Sequence, residues 1–321
     1  MQFRLVLFLV FSFYVALISG CSSTSSGAHN SDSEKAEKVI HIGYQKFGTL
    51  NILKADKSLD EALEKKGFSV RWTEFPAGPQ LLEALNVGSI DFGHTGEAPP
   101  IFAQAANAPL VYFANKPPNP NGEAIVVPKD SPIKNLEDLK GKKVGLNKGS
   151  NVHYLLVKAL EKAGIQYDEI ETAFLPPADA RAAFEKGEID AWVIWDPFLA
   201  NAEVTANARI IANATDLAAN REFFFSSRSF AEKNPDVLEV IYEEVEKTEE
   251  WVSENPKEAA EFLSPEIGMD VATLELTLTR RSFGLEKVTK EIIDDQQKIA
   301  DQFYELQLIP KQIKVEEATI K

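Results

Sequence analysis

The strongest constraint in this sequence is that one strand–helix–strand pattern occurs twice, in the same order and with matching residues. Ile42-Gly43-Tyr44-Gln45-Lys46 returns as Val144-Gly145-Leu146-Asn147-Lys148, both of the form apolar-Gly-apolar-amide-Lys. Gly88-Ser89-Ile90-Asp91 returns as Gly187-Glu188-Ile189-Asp190, and each feeds an apolar strand. The next turn is Thr95-Gly96-Glu97 in the first half and Trp195-Asp196-Pro197 in the second, with Glu97 and Asp196 at equal distance from the matched glycines. Ordered matches at similar offsets imply two lobes of like topology. A length of 321 residues suits two domains.

The intervening sequence reads as alternating strands and helices. Strands are expected at 39–44, 68–74, 90–94, 110–113 and 124–127, then at 143–147, 172–175, 189–194, 209–212 and 223–227. Helical spacing runs from Thr49 to about residue 66, over 79–87 up to Gly88, over 97–106, over 151–163 and over 178–186 up to Gly187. Pro197 opens another helix, and beyond Ser229 the chain is nearly all helical. Strands alternating with helices imply βαβ units. The expected fold class is α/β, with two lobes, each a mainly parallel sheet flanked by helices. Lobe 1 takes 39–128, lobe 2 takes 129–228, and 229–321 returns to lobe 1. The chain would cross near Pro128 and again near 227–230. Ligands of open α/β sheets bind at the carboxyl ends of the strands, which here face an interlobe cleft that closes by hinge motion.

The amino terminus reads as an export signal. Arg4 precedes an apolar stretch from Leu5 to Ile18, then Ser19-Gly20-Cys21. The stretch is shorter than the ~20 residues of a membrane span, and a basic start with a small-residue exit marks residues 1–20 as a signal peptide. Leu17-Ile18-Ser19-Gly20-Cys21 resembles a bacterial lipobox, which implies acylation of Cys21. Residues 21–38 are rich in Ser, Gly and charge and read as a flexible tether. A lipid-anchored, monomeric body outside the cytoplasmic membrane is the expectation.

Composition removes several function classes. The net charge is −15, from 34 basic and 49 acidic residues, which argues against nucleic acid as a partner. One Cys and four scattered His give no Cys-pair or H-E-x-x-H metal spacing. No Walker or dinucleotide glycine pattern occurs, so neither cofactor nor metal is expected. Ser150 and His153 are three apart, but no third group accompanies them. Asp190 and Asp196 open a strand and a helix and fall at opposite ends.

Four strand-to-helix turns would converge on the cleft: Phe47-Gly48-Thr49, Thr95-Gly96-Glu97, Gly149-Ser150-Asn151 and Trp195-Asp196-Pro197. Helix amino ends leave N–H groups free and carry partial positive charge, so several together make an anion site without a buried Arg. Thr49, Thr95 and Ser150 add hydroxyls, and Gln45, Asn147 and Asn151 add amides. The same residues are also good helix caps. Trp195, beyond its strand, suits an organic tail, as do Phe47, Phe92 and Phe198, whereas strand alternation puts Trp192 in the core. Glu97 and Asp196 either cap helices or accept from a polar tail.

Longer strings carry a family resemblance. They are Phe75-Pro76-Ala77-Gly78-Pro79-Gln80, Asn86-Val87-Gly88-Ser89-Ile90-Asp91, Thr95-Gly96-Glu97-Ala98-Pro99-Pro100, Gly145-Leu146-Asn147-Lys148-Gly149-Ser150, Leu175-Pro176-Pro177-Ala178-Asp179-Ala180-Arg181 and Ala191-Trp192-Val193-Ile194-Trp195-Asp196-Pro197. The chain from about Val39 to Pro310 resembles the aliphatic sulfonate-binding proteins of bacterial ABC importers. Taurine, nitrate and thiamine-precursor binders match these strings less closely. The resemblance implies a periplasmic-binding-protein-like fold of type II and delivery of an alkanesulfonate to an ABC permease for sulfur acquisition. It places the sulfonate at the turns of Gln45, Thr95-Gly96-Glu97 and Ser150-Asn151, with Trp195 against the tail. Phe47-Gly48-Thr49-Leu50-Asn51 departs from the family pattern and bears on tail preference. The alternatives are a binder of taurine, nitrate or a pyrimidine precursor, and an extracytoplasmic hydrolase.

Overall fold

A computed structural model describes residues 38–320. The signal at 1–20, Cys21 and nearly all of the tether lie outside the described residues. Eleven strands form among the described residues: β1 Lys38–Tyr44, β2 Phe68–Glu74, β3 Phe92–Gly96, β4 Leu110–Asn115, β5 Glu123–Pro128, β6 Lys143–Leu146, β7 Glu171–Phe174, β8 Ala191–Trp195, β9 Ala208–Asn213, β10 Glu222–Ser227 and β11 Glu286–Lys287. They make two sheets, of order β11-β4-β10-β3-β1-β2 and β7-β6-β8-β5-β9.

The two sheets share one plan. In each, three parallel strands (β2-β1-β3 and β7-β6-β8) are followed by one reversed strand. The reversed strand is β10 in the first sheet and β5 in the second, antiparallel to both neighbours. β5 thus belongs to the second sheet and β10 to the first. The chain passes between sheets within 116–122 and 214–221, earlier than the crossings read near Pro128 and 227–230. Both inserted strands are apolar runs, and nothing in their composition says which sheet they join.

The repeated residues explain why the halves match. Gly88 and Gly187 end their helices with φ of 73° and 71°, a left-handed geometry that glycine adopts without a Cβ penalty. Asp91 then accepts from the backbone N–H of His41 at 2.9 Å, and Asp190 from that of Lys143 at 2.8 Å. Each aspartate fixes its strand's register beside the first strand of its half. Gly43 leaves room for Ile90, whose Cδ1 would lie 2.6 Å from an added Cβ, and Gly145 does the same for Ile189.

Apolar clusters cover both faces of each sheet. Leu50, Leu53, Phe92, Phe224 and Ile241 pack on one face of the first, and Leu81, Ile101, Phe223, Phe225 and Phe303 on the other. Ile125, Val144, Leu156 and Val193 lie on one face of the second, with Trp192, Phe184 and Ile194 on the other. Trp192 is in the core, whereas Phe92 is also buried there rather than in the cleft. Two helix expectations change. The run from Thr49 breaks at Lys57 (φ 62°) into Thr49–Asp56 and Ser58–Glu64. The helix expected from Glu97 begins at Pro99 and ends at Ala105, since proline is favoured in a first turn. No helix among the described residues is long and apolar enough to cross a membrane.

The glycine–isoleucine contact gives a stability test. Gly145→Ala should lower unfolding free energy by about 1–3 kcal/mol, the usual cost of overpacking. Adding Ile189→Val, which removes the clashing Cδ1, should return most of that loss. Urea denaturation of the two single variants and the double variant measures the coupling.

Candidate ligand-binding site

A cavity of about 110 Å³ lies where the carboxyl ends of the strands meet the two crossings. Gln45 after β1 and Thr95-Gly96 at the end of β3 line it from the first sheet. Trp195 and Asp196 at the end of β8, and Asn151 at the start of the helix Asn151–Ala163, line it from the second. Gly96 brings the halves close: a Cβ there would meet Asn151 Cβ at 2.9 Å.

Of the residues singled out from sequence, Thr49, Glu97, Asn147 and Ser150 do not reach the cavity wall. Thr49 is buried below it, donating to Glu249 and accepting from Lys116 Nζ at 2.7 Å. Glu97 accepts from the backbone N–H groups of Asn220 and Arg221, both at 3.1 Å. Ser150 Oγ donates to the carbonyl of buried Asn147 at 2.7 Å. Helix capping is sparse here. Asp196 accepts from Ala200 N–H at 3.0 Å, whereas Ser150 occupies an N-cap position without a side-chain cap bond.

The reading of neutral hydroxyl and amide donors needs correction. Thr95 Oγ1 donates to Gly96 C=O at 2.9 Å, so Thr49, Thr95 and Ser150 each spend their single hydrogen on a protein acceptor. Asn151 Nδ2 donates to Glu123 at 2.5 Å and to Asn220 at 3.0 Å, using both its hydrogens. Gln45 Nε2 donates to His94 C=O at 2.9 Å, leaving one hydrogen.

Charge takes the place of those donors. Lys46, Lys116, Arg221 and Arg281 line the cavity with Glu222 and His94. Lys116 is 3% exposed and lies 3.2 Å from Glu222 and 2.7 Å from Glu249. Arg281 lies 3.1 Å from Glu249 and stacks over Phe47. Burial alone would raise Glu222 and Glu249, but Lys116 and Arg281 outweigh it, with His94 adding at Glu222. Glu222 stays well below the usual carboxylate range and Glu249 below it. Burial dominates at the other acids. It pushes Glu97 to about 7 against its two N–H donors, Asp196 to about 7 against Arg280, and Glu123 well up, with Glu97 adding.

Lys116, Arg221, Glu222 and Arg281 were missed from sequence. The first three sit at the crossings, which were read too late in the chain. For Arg281 the available signal was the Arg280-Arg281 pair in a strongly acidic sequence.

His153 anchors the turn before Asn151 and does not face Ser150. Its Nδ1 accepts from Gly149 N–H at 3.2 Å, so the proton sits on Nε2, 2.7 Å from Tyr167 Oη. Phe102 and Phe303 pack on its ring with centroids 6.1 and 5.8 Å away. Burial first, then the charge of Lys148, lower its pKa to about 4. Among the described residues no group of three His, Cys, Asp or Glu is placed to hold a metal.

Residues 63–259 match the family described as NMT1/THI5 like. The chain is 40% identical over 286 residues to a candidate aliphatic sulfonates-binding protein of Escherichia coli (strain K12), covering 88% of this chain and 89% of the relative. It superposes on the alkanesulfonate-binding protein SsuA from Xanthomonas axonopodis pv. citri bound to MOPS with a TM-score of 0.84 and 38% identity, over 88% of this chain and 98% of that one. The periplasmic aliphatic sulphonate binding protein SsuA from Escherichia coli gives a TM-score of 0.80 and 39% identity, over 88% and 92%.

His153 provides a pH test. An imidazole of pKa about 4 when folded, against about 6.5 unfolded, makes the unfolded chain bind the proton first. Stability from this group is therefore present above about 6.5 and lost as pH falls to about 4, by up to about 3 kcal/mol. His153→Gln keeps an acceptor for Gly149 and should lose that slope. Subtracting the urea-unfolding profiles of wild type and variant cancels the opposite slopes of Glu97 and Asp196.

Proposed function

The chain belongs to the NMT1/THI5-like family, among its aliphatic sulfonate-binding members, and on that premise we propose that it captures aliphatic sulfonates outside the cytoplasm and delivers them to an ABC importer. The observation that carries this reading is the cavity's chemistry, in which cations and helix amino ends face one another beside an aromatic wall. A sulfonate is ionised at all working pH values and offers only acceptors. Lys46, Lys116, Arg221 and Arg281 line the cavity and outnumber the ionised carboxylates Glu222, on its wall, and Glu249, behind it, so an anion is favoured. MOPS, carried by the Xanthomonas relative, is itself a propanesulfonate with a bulky tail.

In this reading the headgroup takes the remaining hydrogen of Gln45, N–H groups at the Gly96 and Asn151 turns, and the guanidinium groups of Arg221 and Arg281. Thr49, Glu97, Asn147 and Ser150 support those turns from behind. Trp195, with Phe198 edge-on at 6.0 Å, walls the tail. The first lobe comprises 38–116 and 222–320, the second 117–221, and both present surfaces to the permease. The protein binds without turnover, consistent with relatives named as binding proteins and with a Ser150 hydroxyl turned away from His153. Acylation at Cys21 would hold it, as a monomer, on the outer face of the membrane. The support for that is the Leu17–Cys21 sequence alone.

Calorimetry tests the ligand class. MOPS and ethanesulfonate should bind with no product formed, and sulfate and nitrate should bind far more weakly. Sulfate binding as tightly as MOPS, or release of a product, would refute the reading. Trp195→Ala should weaken MOPS by about 10-fold or more through lost apolar burial and ethanesulfonate by less. Separately, Cys21→Ser should move the protein from the membrane fraction to the medium with its affinity intact, and retention at the membrane would point to an uncleaved anchor.

A further inference from the structure

Arg280 and Arg281 are consecutive, yet their guanidinium groups reach carboxylates belonging to opposite sheets. Arg281 Nη2 lies 3.1 Å from Glu249 and 4.0 Å from Glu222. Glu222 begins β10, and Glu249 lies on the helix Pro235–Glu254, which packs on the first sheet. Arg280 turns the other way. Its Nη1 is 3.5 Å from Asp196 Oδ1, and its Nη2 pairs closely with Glu203. Asp196 follows β8, and Glu203 lies on the helix Phe198–Thr205, whose Leu199 and Ala202 are buried against the second sheet.

This contact is shielded. Arg280 is 16% exposed and Asp196 8%, so it is screened less than a surface pair. It also adjoins the ligand cavity on both sides, because Asp196 and Arg281 line it while Arg280 stands behind them. Its two carboxylates are carried by the second sheet, and the arginine by the C-terminal helix Val271–Arg280, whose Leu274 and Leu278 pack with Ile52 and Val252 beside the first. Separating the sheets must therefore break it.

We propose that Arg280 is a positioning residue that latches the two lobes over the ligand, by tying Asp196 and Glu203 of the second lobe to the C-terminal helix, so that it slows ligand release. The latch rests on the two-lobed sulfonate-binding reading above. It holds the closed form without touching ligand, and its loss acts on dissociation rather than on association.

Two measurements on the full chain test it. In stopped-flow tryptophan fluorescence with MOPS, Arg280→Gln should raise the dissociation rate about tenfold with an association rate changed less than about twofold. Arg280→Lys should recover part of the loss, and Glu203→Gln should show a smaller increase. Salt should speed release from wild type more than from Arg280→Gln, in which only the contacts to the ligand itself remain to be screened, a difference that a purely structural role of the side chain would not produce. Equal dissociation rates, or an unchanged salt response in the variant, overturn the latch. The second measurement needs no ligand. Hydrogen exchange of the free protein should quicken in Arg280→Gln at both cleft faces, residues 45–48 and 195–199, as in wild type at high salt. A change confined to 271–282, or none, overturns the latch. Failure of MOPS to bind wild type would count against the sulfonate reading, with hydrogen exchange still deciding the latch.

Discussion

The Lys116 ammonium is nearly buried, between Glu249 at 2.7 Å, Glu222 at 3.2 Å and Thr49 Oγ1 at 2.7 Å. Taking an ammonium out of water is costly unless its hydrogens are matched, and here three acceptors match three hydrogens. Each acceptor comes from a different part of the chain. Thr49 opens the first helix, Glu222 opens β10, and Glu249 lies two hundred positions after Thr49 on a C-terminal helix. Lys116 itself stands at the first crossing, and its N–H donates to the carbonyl of Glu222 at the second, at 2.8 Å. One cation therefore fixes where the chain leaves the first sheet, where it returns, and how the C-terminal helices meet the cleft.

What was legible in the sequence is what local rules dictate. Asp91 and Asp190 could be matched because each accepts from a backbone N–H of the neighbouring parallel strand, β1 or β6, and Gly43 and Gly145 because each must clear one isoleucine. The turns at Gln45, Thr95-Gly96, Asn151 and Trp195-Asp196 followed from the strand ends, and all line one cavity. The charged floor was not legible. Lys116, Glu222, Glu249 and Arg281 are each unremarkable alone, and their pairing depends on which sheet β5 and β10 join. Two apolar strands of similar composition gave no such information. Hydroxyls failed for a related reason. A serine at a helix start is read as a donor to whatever approaches, but Ser150 finds a carbonyl three residues back.

A chain of net charge −15 can still favour an anion in its cleft. Electrostatic influence in physiological salt decays within about 8 Å. The exposed acids of the helix Pro235–Glu254, such as Glu239, Glu243 and Glu246, face solvent. Glu222 and Glu249 stay ionised beside Lys116 and Arg281, but three other buried acids respond to burial instead. Glu97 and Asp196 rise to about 7 and Glu123 rises well above its usual range, so they lose part of their charge near neutral pH, whereas an arginine keeps its own. Burial thus leaves the cations charged and weakens the charge of three acids. The excess that results favours an anion. A sulfate would also present a fourth oxygen to the Trp195 wall, where an alkyl group loses nothing and an oxyanion loses its water.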